Sequence, residues 1–346
     1  MKNKFVLWFK QRVNTLCTKL ERSILSNKSL KCKVVFGPVH SRRLGYVVGI
    51  NNIKAKTCSY NCIYCPSGKK NCCSVCSSNC LSPFELYISV NNKLKEFERS
   101  GKKIDYIAFA GSGEPTLASN LSKQILLVRE FGYKIAVFTN SSLLWNENIQ
   151  ENLMFADYVS VKIDAISETV WEKINRPHQR LSHSRILEGI QNFSKKFRGT
   201  LTTETTLIKN INDSDEEVGL IAEFINSIKH DRAYFMTPIF PPSEDYAIAP
   251  DDETLKHLSE LIKGKITDST MLCRPAKEEF YATDDFENEL MGLLALHPVS
   301  KDAVKNFAKG NEALKKLDYL IENRIIKEID HQGKKYFAEN LVSGKT

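Results

Sequence analysis

Three cysteines lie within eight residues, in the run CSYNCIYC, where they occupy positions 58, 62 and 65. Thiolates at spacings of four and three residues fit around one iron–sulfur cluster in a tight loop. A cubane cluster has four irons, so Cys58, Cys62 and Cys65 would leave one iron without a protein ligand. An open metal position allows chemistry, as it does in catalytic zinc sites. The run therefore predicts a reactive metal centre, with a structural zinc or a ferredoxin-type site as the alternative.

Size and composition favour a cytoplasmic protein with a large core. The chain has 346 residues, 42% of them hydrophobic, and no stretch approaches the ~18 apolar residues of a membrane span. The apolar run FVLWF near the N-terminus is followed at once by Lys10, so it is too short for a secretory signal. In a reducing compartment, the ten cysteines indicate metal binding or catalysis rather than disulfides.

The net charge of +8 is concentrated at the N-terminus, because residues 1–43 contain eleven Lys or Arg and one acidic residue. Apolar residues recur there at roughly helical spacing, at Phe5, Phe9, Leu16, Leu20 and Ile24. This pattern predicts a basic amphipathic helix over residues 1–32. The helix either packs on the rest of the protein or contacts nucleic acid.

Residues 33–250 alternate between strand and helix patterns. Strands are predicted at residues 46–53, 104–110, 134–140, 157–165, 199–208 and 232–240, with helical stretches between them. Continuous apolar strands separated by helices are typical of a parallel sheet in an α/β fold. In such folds the loops at the carboxyl ends of the strands build the site, and the polar motifs of this chain fall there.

The remaining residues have a different pattern. A connecting helical segment is predicted over 251–283, after the proline-rich run PPSEDYAIAP. Residues 284–346 then show three short helical patterns and two strands around a turn at Gln332-Gly333. This order predicts a C-terminal winged-helix-like domain.

Several polar residues follow the predicted strands. In the run GSGEP, Gly111 and Gly113 would let the backbone approach a ligand, and Glu114 is placed to hold an ammonium group. Asn140 would either contact a ligand or cap the next helix. Lys162 and Asp164 share one face of a strand, so they either bridge each other or touch the substrate. Glu204 is a similar polar residue on an apolar strand.

A second group of cysteines lies in the insert at residues 66–82, in the run NCCSVCSSNC. Its members are Cys72, Cys73, Cys76 and Cys80. In a helix, Cys72, Cys76 and Cys80 would line one face. They would hold a second iron–sulfur cluster or a zinc ion, or else remain unmetallated thiols.

The cysteine run resembles the signature of the radical S-adenosylmethionine (SAM) enzymes. With GSGEP, KIDA, INRPH at 174–178 and the pair Pro241-Pro242, the chain is similar to an uncharacterised group related to wyosine-tRNA synthetase-like Fe–S oxidoreductases, over about residues 34–250. The resemblance implies a partial (β/α)6 barrel, a [4Fe–4S] cluster on Cys58, Cys62 and Cys65, and SAM bound at the open iron. Reductive cleavage of SAM to a 5′-deoxyadenosyl radical would then remove a hydrogen atom from a substrate.

The resemblance also implies roles for individual residues. Glu114 would hold the SAM ammonium and Tyr64 would lie near the adenine. Further SAM contacts would come from Gly111, Gly113, Asn140, Lys162 and Glu204, and substrate or carboxylate contacts from Asp164, Arg176, His178, Arg42 and Arg43. A reductant such as flavodoxin or ferredoxin is expected, and the substrate would be a tRNA base, a protein, a peptide or a metabolite. The alternative function is a non-catalytic iron–sulfur sensor that binds DNA through the winged helix.

Overall fold

The computed structural model describes residues 34–54, 56–69, 72–76, 81–98, 103–273, 285–308 and 310–340. The basic helix predicted over residues 1–32 lies outside them. The strands are β1 (Val35–Ser41), β2 (Gly45–Ile50), β3 (Thr57–Cys58), β4 (Cys72–Cys73), β5 (Tyr106–Phe109), β6 (Lys134–Thr139), β7 (Tyr158–Lys162), β8 (Thr200–Thr206), β9 (Arg232–Met236), β10 (Ser269–Leu272), β11 (Val299–Ser300), β12 (Ile326–His331) and β13 (Lys334–Glu339).

Most helices follow the strands of the main sheet. They are α1 (Pro83–Glu98), α2 (Leu121–Arg129), α3 (Glu147–Leu153), α4 (Glu168–Asn175), α5 (His183–Lys196), α6 (Asp215–Asn226), α7 (Asp252–Lys265), α8 (Phe286–Leu294), α9 (Lys301–Phe307) and α10 (Asn311–Glu322). A 3₁₀ turn at Pro115–Leu117 follows β5. No helix of the described ranges is long and apolar enough to cross a membrane.

The main sheet has eight strands in the order β1-β2-β5-β6-β7-β8-β9-β10. Only β1 and β2 pair antiparallel, and the other neighbours are parallel. The predicted α/β fold with a parallel sheet is confirmed, since all six predicted strands belong to it. The carboxyl ends of these six parallel strands meet at one edge of the sheet, and the polar motifs were predicted to lie at that edge.

Two strands of this sheet were not predicted from the sequence. Strand β1 contains Gly37 and Pro38, which read as turn residues. Proline is tolerated there because β1 is an edge strand whose pairing shifts register between Phe36 and Val39. Strand β10 is only four residues long and lies within the span predicted as a connecting helical segment, so the sheet extends beyond residue 250.

The core lies on both faces of the sheet, because side chains alternate along each strand. On the helix-covered face, Ile107, Val137 and Val159 are fully buried among apolar helix residues. On the opposite face, Ala108 and Tyr158 belong to a smaller cluster with Leu44, Val47 and Ala136. Burying each large apolar side chain contributes about 1.5–3 kcal/mol, so the two layers fix the strand ends that carry the site.

The C-terminal elements form a second small core. Strands β11, β13 and β12 make a three-stranded sheet, and β12 and β13 are joined at Gln332 and Gly333, both with positive φ. Their apolar cluster includes Phe36 of β1, and a buried ion pair joins Lys93 of α1 to Glu289 of α8. The three helices and the hairpin appear where the sequence predicted them, while the winged-helix assignment itself stays a prediction.

Candidate functional site

The three cysteines of the first motif open onto one cavity of about 380 Å³. Cys58 ends β3, and Cys62 and Cys65 follow in a loop held by two turns, in which the amides of Cys65 and Gly68 donate to the carbonyls of Cys62 and Cys65 at 3.1 Å each. Cys58 and Cys62 are buried and Cys65 is half-buried. The loop therefore presents three thiols to a common space, at the carboxyl edge of the sheet.

The cysteine loop is held in place by the residues that end α4. The amide of Asn61 donates to the carbonyl of Asn175 at 3.0 Å, and the amide of Ile63 donates to that of Ile174 at 3.0 Å. The amide of His178 donates to the carbonyl of Ser59 at 2.9 Å. The segment INRPH thus binds the loop through its backbone, which gives this motif a structural role that the sequence did not reveal.

Arg176 and His178 are not among the residues that line the cavity. Arg176 is the C-cap residue that follows α4, with a φ of 43°. Its guanidinium donates to Glu244 Oε1 at 2.6 Å and to the Tyr246 hydroxyl at 2.8 Å. The ring of His178 accepts the amide of Arg180 at 3.1 Å. The structure therefore does not bring these two predicted substrate residues into the site.

Two asparagine side chains, the half-buried Asn140 and the buried Asn175, donate to cysteine sulfurs. Asn140 Nδ2 donates to Cys58 Sγ, and Asn175 Nδ2 donates to Cys62 Sγ, each at 3.4 Å. Burial, the charge of Asp164 and the neighbouring cysteines raise the pKa of Cys62 to about 12, and the bond from Asn175 opposes that shift. Asn175 was missed by the sequence reasoning, although it lies inside the motif INRPH that was singled out.

Glu114 lies at the wall of the cavity and is 1% exposed. Its carboxylate accepts hydrogen bonds from Thr116 Oγ1 at 2.6 Å, Thr116 N at 3.1 Å, Thr139 Oγ1 at 2.7 Å and Asn140 N at 2.7 Å. Burial raises the pKa of Glu114, and these donors pull it back only in part. The carboxylate thus has neutral donors on the protein side, and the described residues give it no salt bridge.

The glycines of the GSGEP run are required by the protein itself. A Cβ at Gly111 would lie 2.1 Å from Asn51 Oδ1, and a Cβ at Gly113 would lie 2.1 Å from the carbonyl oxygen of Thr57. The amide of Glu114 donates to that same carbonyl at 3.1 Å. Both glycines line the cavity. Their lack of a side chain also lets the run pack against Asn51 and Thr57, which precede the cysteine loop.

Glu204 on the opposite side of the cavity is paired with two cations. Its Oε2 contacts Arg43 at 2.7 Å and its Oε1 contacts Lys162 at 2.7 Å. Burial would raise the pKa of Glu204, but the charges of Lys162 and Arg43 outweigh it and hold that pKa far below its ordinary value. Burial would lower the pKa of Lys162, and the charge of Glu204 reverses this into a rise.

Asp164 does not lie beside Lys162 as a partner. It is 3% exposed, and its carboxylate accepts from the hydroxyl of Tyr64, from Asn175 Nδ2 at 2.8 Å and from the amide of Thr206 at 2.9 Å. Lys162 instead bonds Glu204, so neither predicted role of the Lys162–Asp164 pair, a mutual bridge or joint exposure to the substrate, is found. Asp164 holds Tyr64, which does line the cavity.

Arg42 and the C-terminal residues form the rim of the cavity. Arg42 Nη1 donates to the carbonyl of Leu272 at 2.7 Å, which joins the end of β1 to the end of β10 and shows that the sheet is curved. Leu296, which follows α8, lines the cavity, and the neighbouring His297 stacks on Phe240 with ring centroids 3.9 Å apart. The C-terminal part therefore contributes directly to the mouth.

The structure brings twelve of the predicted site residues to this one cavity. They are Arg42, Arg43, Cys58, Cys62, Tyr64, Cys65, Gly111, Gly113, Glu114, Asn140, Lys162 and Glu204. They come from the cysteine loop, from the carboxyl-terminal parts of the parallel strands β5 to β8 and the loops after them, and from the turn after β1, which runs antiparallel to β2.

The second group of cysteines differs from its prediction. Cys72 and Cys73 form β4, which pairs in parallel with Thr57 and Cys58, so the predicted helical face of this segment is wrong at these positions. Short pairing with the cysteine loop replaces the helix. Cys73 and Cys76 are exposed and do not line the cavity, and Cys80 lies outside the described residues. Over those residues, no group of three or more Cys, His, Asp or Glu could hold a single metal ion.

The donors present fit an iron–sulfur cluster with SAM beside it. Three thiols share a cavity whose volume of about 380 Å³ is in the range of small-molecule sites, about 300–1,000 Å³. Amide donors to sulfur are the contacts that ligating thiolates receive in such centres. On the same cavity, Glu114 supplies a buried carboxylate for a cationic group.

Comparisons with known proteins show which sequences and folds the chain is similar to. The family model of the radical SAM superfamily matches residues 52–220. The UPF0026 protein MJ1312 of Methanocaldococcus jannaschii is 34% identical over 316 residues, which cover 90% of this chain and 97% of that protein. Among solved structures, a radical SAM methyltransferase from Sphaerobacter thermophilus has a TM-score of 0.54 at 14% identity, over 67% of this chain and 69% of that one.

A weaker similarity, with a TM-score below 0.5, involves a structure of TYW1. A structure of TYW1 with a lysine–pyruvate adduct bound covers 85% of this chain and 80% of its own, at 16% identity and a TM-score of 0.43. A likeness of this size says nothing about the substrate. The likeness to the methyltransferase, at 14% identity, concerns the fold alone.

Proposed function

We propose that this chain, which belongs to the UPF0026 family and carries a radical SAM domain, cleaves SAM reductively and abstracts a hydrogen atom from a substrate at the cavity mouth. The observation that carries this proposal is the joint placement of Cys58, Cys62, Cys65 and Glu114 on one cavity. A [4Fe–4S] cluster on the three cysteines would supply one electron to the SAM sulfonium, releasing methionine and the 5′-deoxyadenosyl radical.

The residues of the chain bind and orient the reactants. Glu114 receives the ammonium of SAM, because it is a buried carboxylate with only neutral donors around it. Tyr64, which Asp164 holds by a hydrogen bond, lies on the same cavity and packs near the adenine. Asn140 joins the two regions, since its amide donates to Glu114 and its side chain donates to Cys58 Sγ.

The opposite side of the cavity gives SAM and the substrate a fixed polar surface. Arg43 and Lys162 are held by Glu204, and Arg42 lies at the rim. These three cations against one carboxylate favour an anionic group, such as the SAM carboxylate. Leu296 and Phe240 line the mouth, where water would be excluded once a substrate is bound.

We also propose the finer architecture that the resemblance implied. The curved sheet over residues 33–250 would be a partial (β/α)6 barrel, extended by β10, and residues 284–346 a winged-helix-like domain that helps to present the substrate. The order β11-β13-β12, with three helices, supports the second assignment. A reductant such as flavodoxin or ferredoxin would deliver the electron, and the substrate is a tRNA base, a peptide or a metabolite.

The test is anaerobic turnover with the cluster reconstituted. Wild type supplied with dithionite and SAM should release 5′-deoxyadenosine, measured by mass spectrometry, while Cys58→Ala, Cys62→Ala and Cys65→Ala should each fall to background and lose iron. Cys273→Ala is the matched control, because Cys273 is half-buried but does not line the cavity. Release of 5′-deoxyadenosine by a Cys62→Ala protein at the wild-type rate would refute the proposal.

The same assay distinguishes the substrate classes. Deuterated cellular tRNA and deuterated peptide and metabolite fractions are offered in separate reactions, and deuterium is sought in the 5′-deoxyadenosine. Transfer from the tRNA fraction alone would identify an RNA substrate, and transfer from another fraction alone would exclude it. Binding of a DNA duplex without any SAM cleavage would instead support the sensor function, which no contact of the cavity favours.

A further inference from the structure

Asn175 is a buried residue whose side-chain amide contacts Cys62 without lining the cavity. It is the last residue of α4 and is 2% exposed. Its Nδ2 donates to Cys62 Sγ at 3.4 Å and to Asp164 Oδ2 at 2.8 Å. It does not line the cavity, so a ligand in the cavity would meet Cys62 and not Asn175.

The contact with Asp164 fixes the direction of the amide. An amide nitrogen carries two hydrogens, and here one meets a carboxylate and the other meets the sulfur. The bond to the carboxylate is charge-assisted and is the stronger of the two. Asp164 is itself immobilised by the amide of Thr206 at 2.9 Å and by the hydroxyl of Tyr64. The second N–H is therefore aimed at the sulfur by a rigid partner.

The backbone of the same segment fixes the distance. The carbonyls of Ile174 and Asn175 accept the amides of Ile63 and Asn61, each at 3.0 Å. These two bonds lie on either side of Cys62 in the sequence. Because the donor residue and the loop of the acceptor are joined on both sides, the amide and the sulfur move together.

We propose that Asn175 is a positioning residue that raises the reduction potential of the cluster held by Cys58, Cys62 and Cys65. The inference rests on the proposed function. An N–H bond to a ligating thiolate stabilises negative charge on the sulfur, and the reduced cluster carries one more negative charge than the oxidised one. The bond therefore favours the reduced state that cleaves SAM.

Asn140 makes a similar bond to Cys58, but it has a different position. It lines the cavity and also donates to Ser59 Oγ at 2.9 Å. A change at Asn140 would alter SAM binding and the cluster together. Asn175 does not line the cavity, so a substitution there would change the hydrogen bond to Cys62 without removing a contact with SAM. Asn175 is therefore the better residue for testing the effect of such a bond on the cluster.

The test is an anaerobic redox titration of the cluster without SAM, followed by electron paramagnetic resonance. Asn175→Leu removes the donor at similar volume, and its midpoint potential should be more negative than that of wild type at equal iron content. The matched control is Asn212→Leu. Asn212 is also fully buried and its Nδ2 donates to the carbonyls of Asp164 and Thr206 at 2.8 Å each, but within the part of the chain that the structure describes it forms no hydrogen bond with a cysteine.

An unchanged potential in Asn175→Leu, or an equal shift in Asn212→Leu, would overturn the inference. If Asn175→Leu and the smaller Asn175→Ala both fail to retain iron, resonance Raman spectra of wild type in H₂O and D₂O decide. Iron–sulfur stretches that do not shift on deuterium exchange would then refute a buried N–H bond to the cluster. A wild-type protein that binds no cluster would refute the proposed function instead, so the two failures are distinguishable.

Discussion

Two glutamates that line the cavity, the buried Glu114 and the half-buried Glu204, have opposite kinds of partner. Glu204 is neutralised by Arg43 and Lys162, both at 2.7 Å, and its pKa lies below the ordinary value. Glu114 is bound by hydroxyl and amide donors of Thr116, Thr139 and Asn140, and burial raises its pKa. Glu204 is thus paired with two cations of the protein, whereas the described residues give Glu114 no salt bridge.

The difference in partners indicates a structural role for Glu204 and supports the proposed ligand-binding role of Glu114. A carboxylate between two cations stabilises the fold and positions Arg43 and Lys162, because the charges are already compensated. A buried carboxylate with neutral donors alone is costly in the free protein, and that cost is recovered when a cationic ligand arrives. This contrast supports the proposal that Glu114 binds the SAM ammonium.

The largest effect on folding is expected from Glu204→Gln. The substitution leaves Arg43 and Lys162, whose side chains are 14% and 17% exposed, without their anion. Removing one partner of a buried ion pair costs about 3–5 kcal/mol, so the free energy of unfolding in urea should fall by that amount. Glu147→Gln is the control, because Glu147 is 82% exposed in its pair with Lys196. Equal losses in the two variants would contradict a scaffold role for Glu204.

The next largest effect is expected on the affinity for SAM, when Glu114 is substituted. Glu114→Gln keeps the volume but removes the charge, and a charge-assisted bond is worth about 1.5–3 kcal/mol. The dissociation constant for SAM, measured by calorimetry, should rise about 10- to 100-fold. Glu244→Gln is the control, because Glu244 binds Arg176 away from the cavity. An unchanged affinity in Glu114→Gln would remove Glu114 from the SAM site.

A third substitution tests how the Glu114 side is packed. Gly113→Ala would place a Cβ 2.1 Å from the carbonyl oxygen of Thr57, and overpacking of this kind costs about 1–3 kcal/mol. Thermal unfolding should show the loss. Gly219→Ala within α6, where a Cβ meets nothing within 4 Å, should instead be stabilising by about 0.5–1 kcal/mol. A stable Gly113→Ala protein would show that this glycine is not required by packing.

The smallest effects are two pH dependences of opposite sign. The pKa of Glu204 is below its ordinary value of 4.5, so its stabilisation is present above pH 4.5 and is lost as the pH falls below it. The pKa of Glu114 is above 4.5, so the folded protein loses stability as the pH rises through the interval between the two values.

Unfolding free energies of the free protein, measured from acid to neutral pH, check both signs. The stability difference between wild type and Glu204→Gln should shrink as the pH falls. Relative to Glu114→Gln, wild type should become less stable as the pH rises. Parallel curves for the two variants would contradict the comparison between the two carboxylates.

The sequence predicted the elements that local pattern determines. Six apolar strands and the spacing of Cys58, Cys62 and Cys65 placed the site at the carboxyl edge, and the structure has all six strands in one sheet. Strand β1 was not predicted because Gly37 and Pro38 are residues typical of turns. The structure accommodates them by a register shift at the sheet edge, which depends on pairing with β2 and is not visible in the sequence. Strand β4 was not predicted because it has only two residues, Cys72 and Cys73, which are too few to show a strand pattern.

The side-chain partners around the cavity could not be predicted from the sequence, because they come from different segments of the chain. Lys162 and Asp164 share a strand face, which suggested a mutual contact, but Lys162 lies opposite Glu204 in the register of β7 and β8. Asp164 instead meets Tyr64 and Asn175, which come from two other segments. The motif INRPH gave no hint that its backbone would hold the cysteine loop, because no side-chain chemistry marks that function.

The proposed function requires that the centre held by Cys58, Cys62 and Cys65 leaves one iron for SAM. The most direct measurement is electron–nuclear double resonance on the reduced, reconstituted protein with SAM labelled by ¹⁷O in its carboxylate. A hyperfine coupling from the labelled carboxylate, absent without SAM, is the predicted result. A reduced cluster with full iron content whose spectrum is unchanged by SAM would contradict the claim.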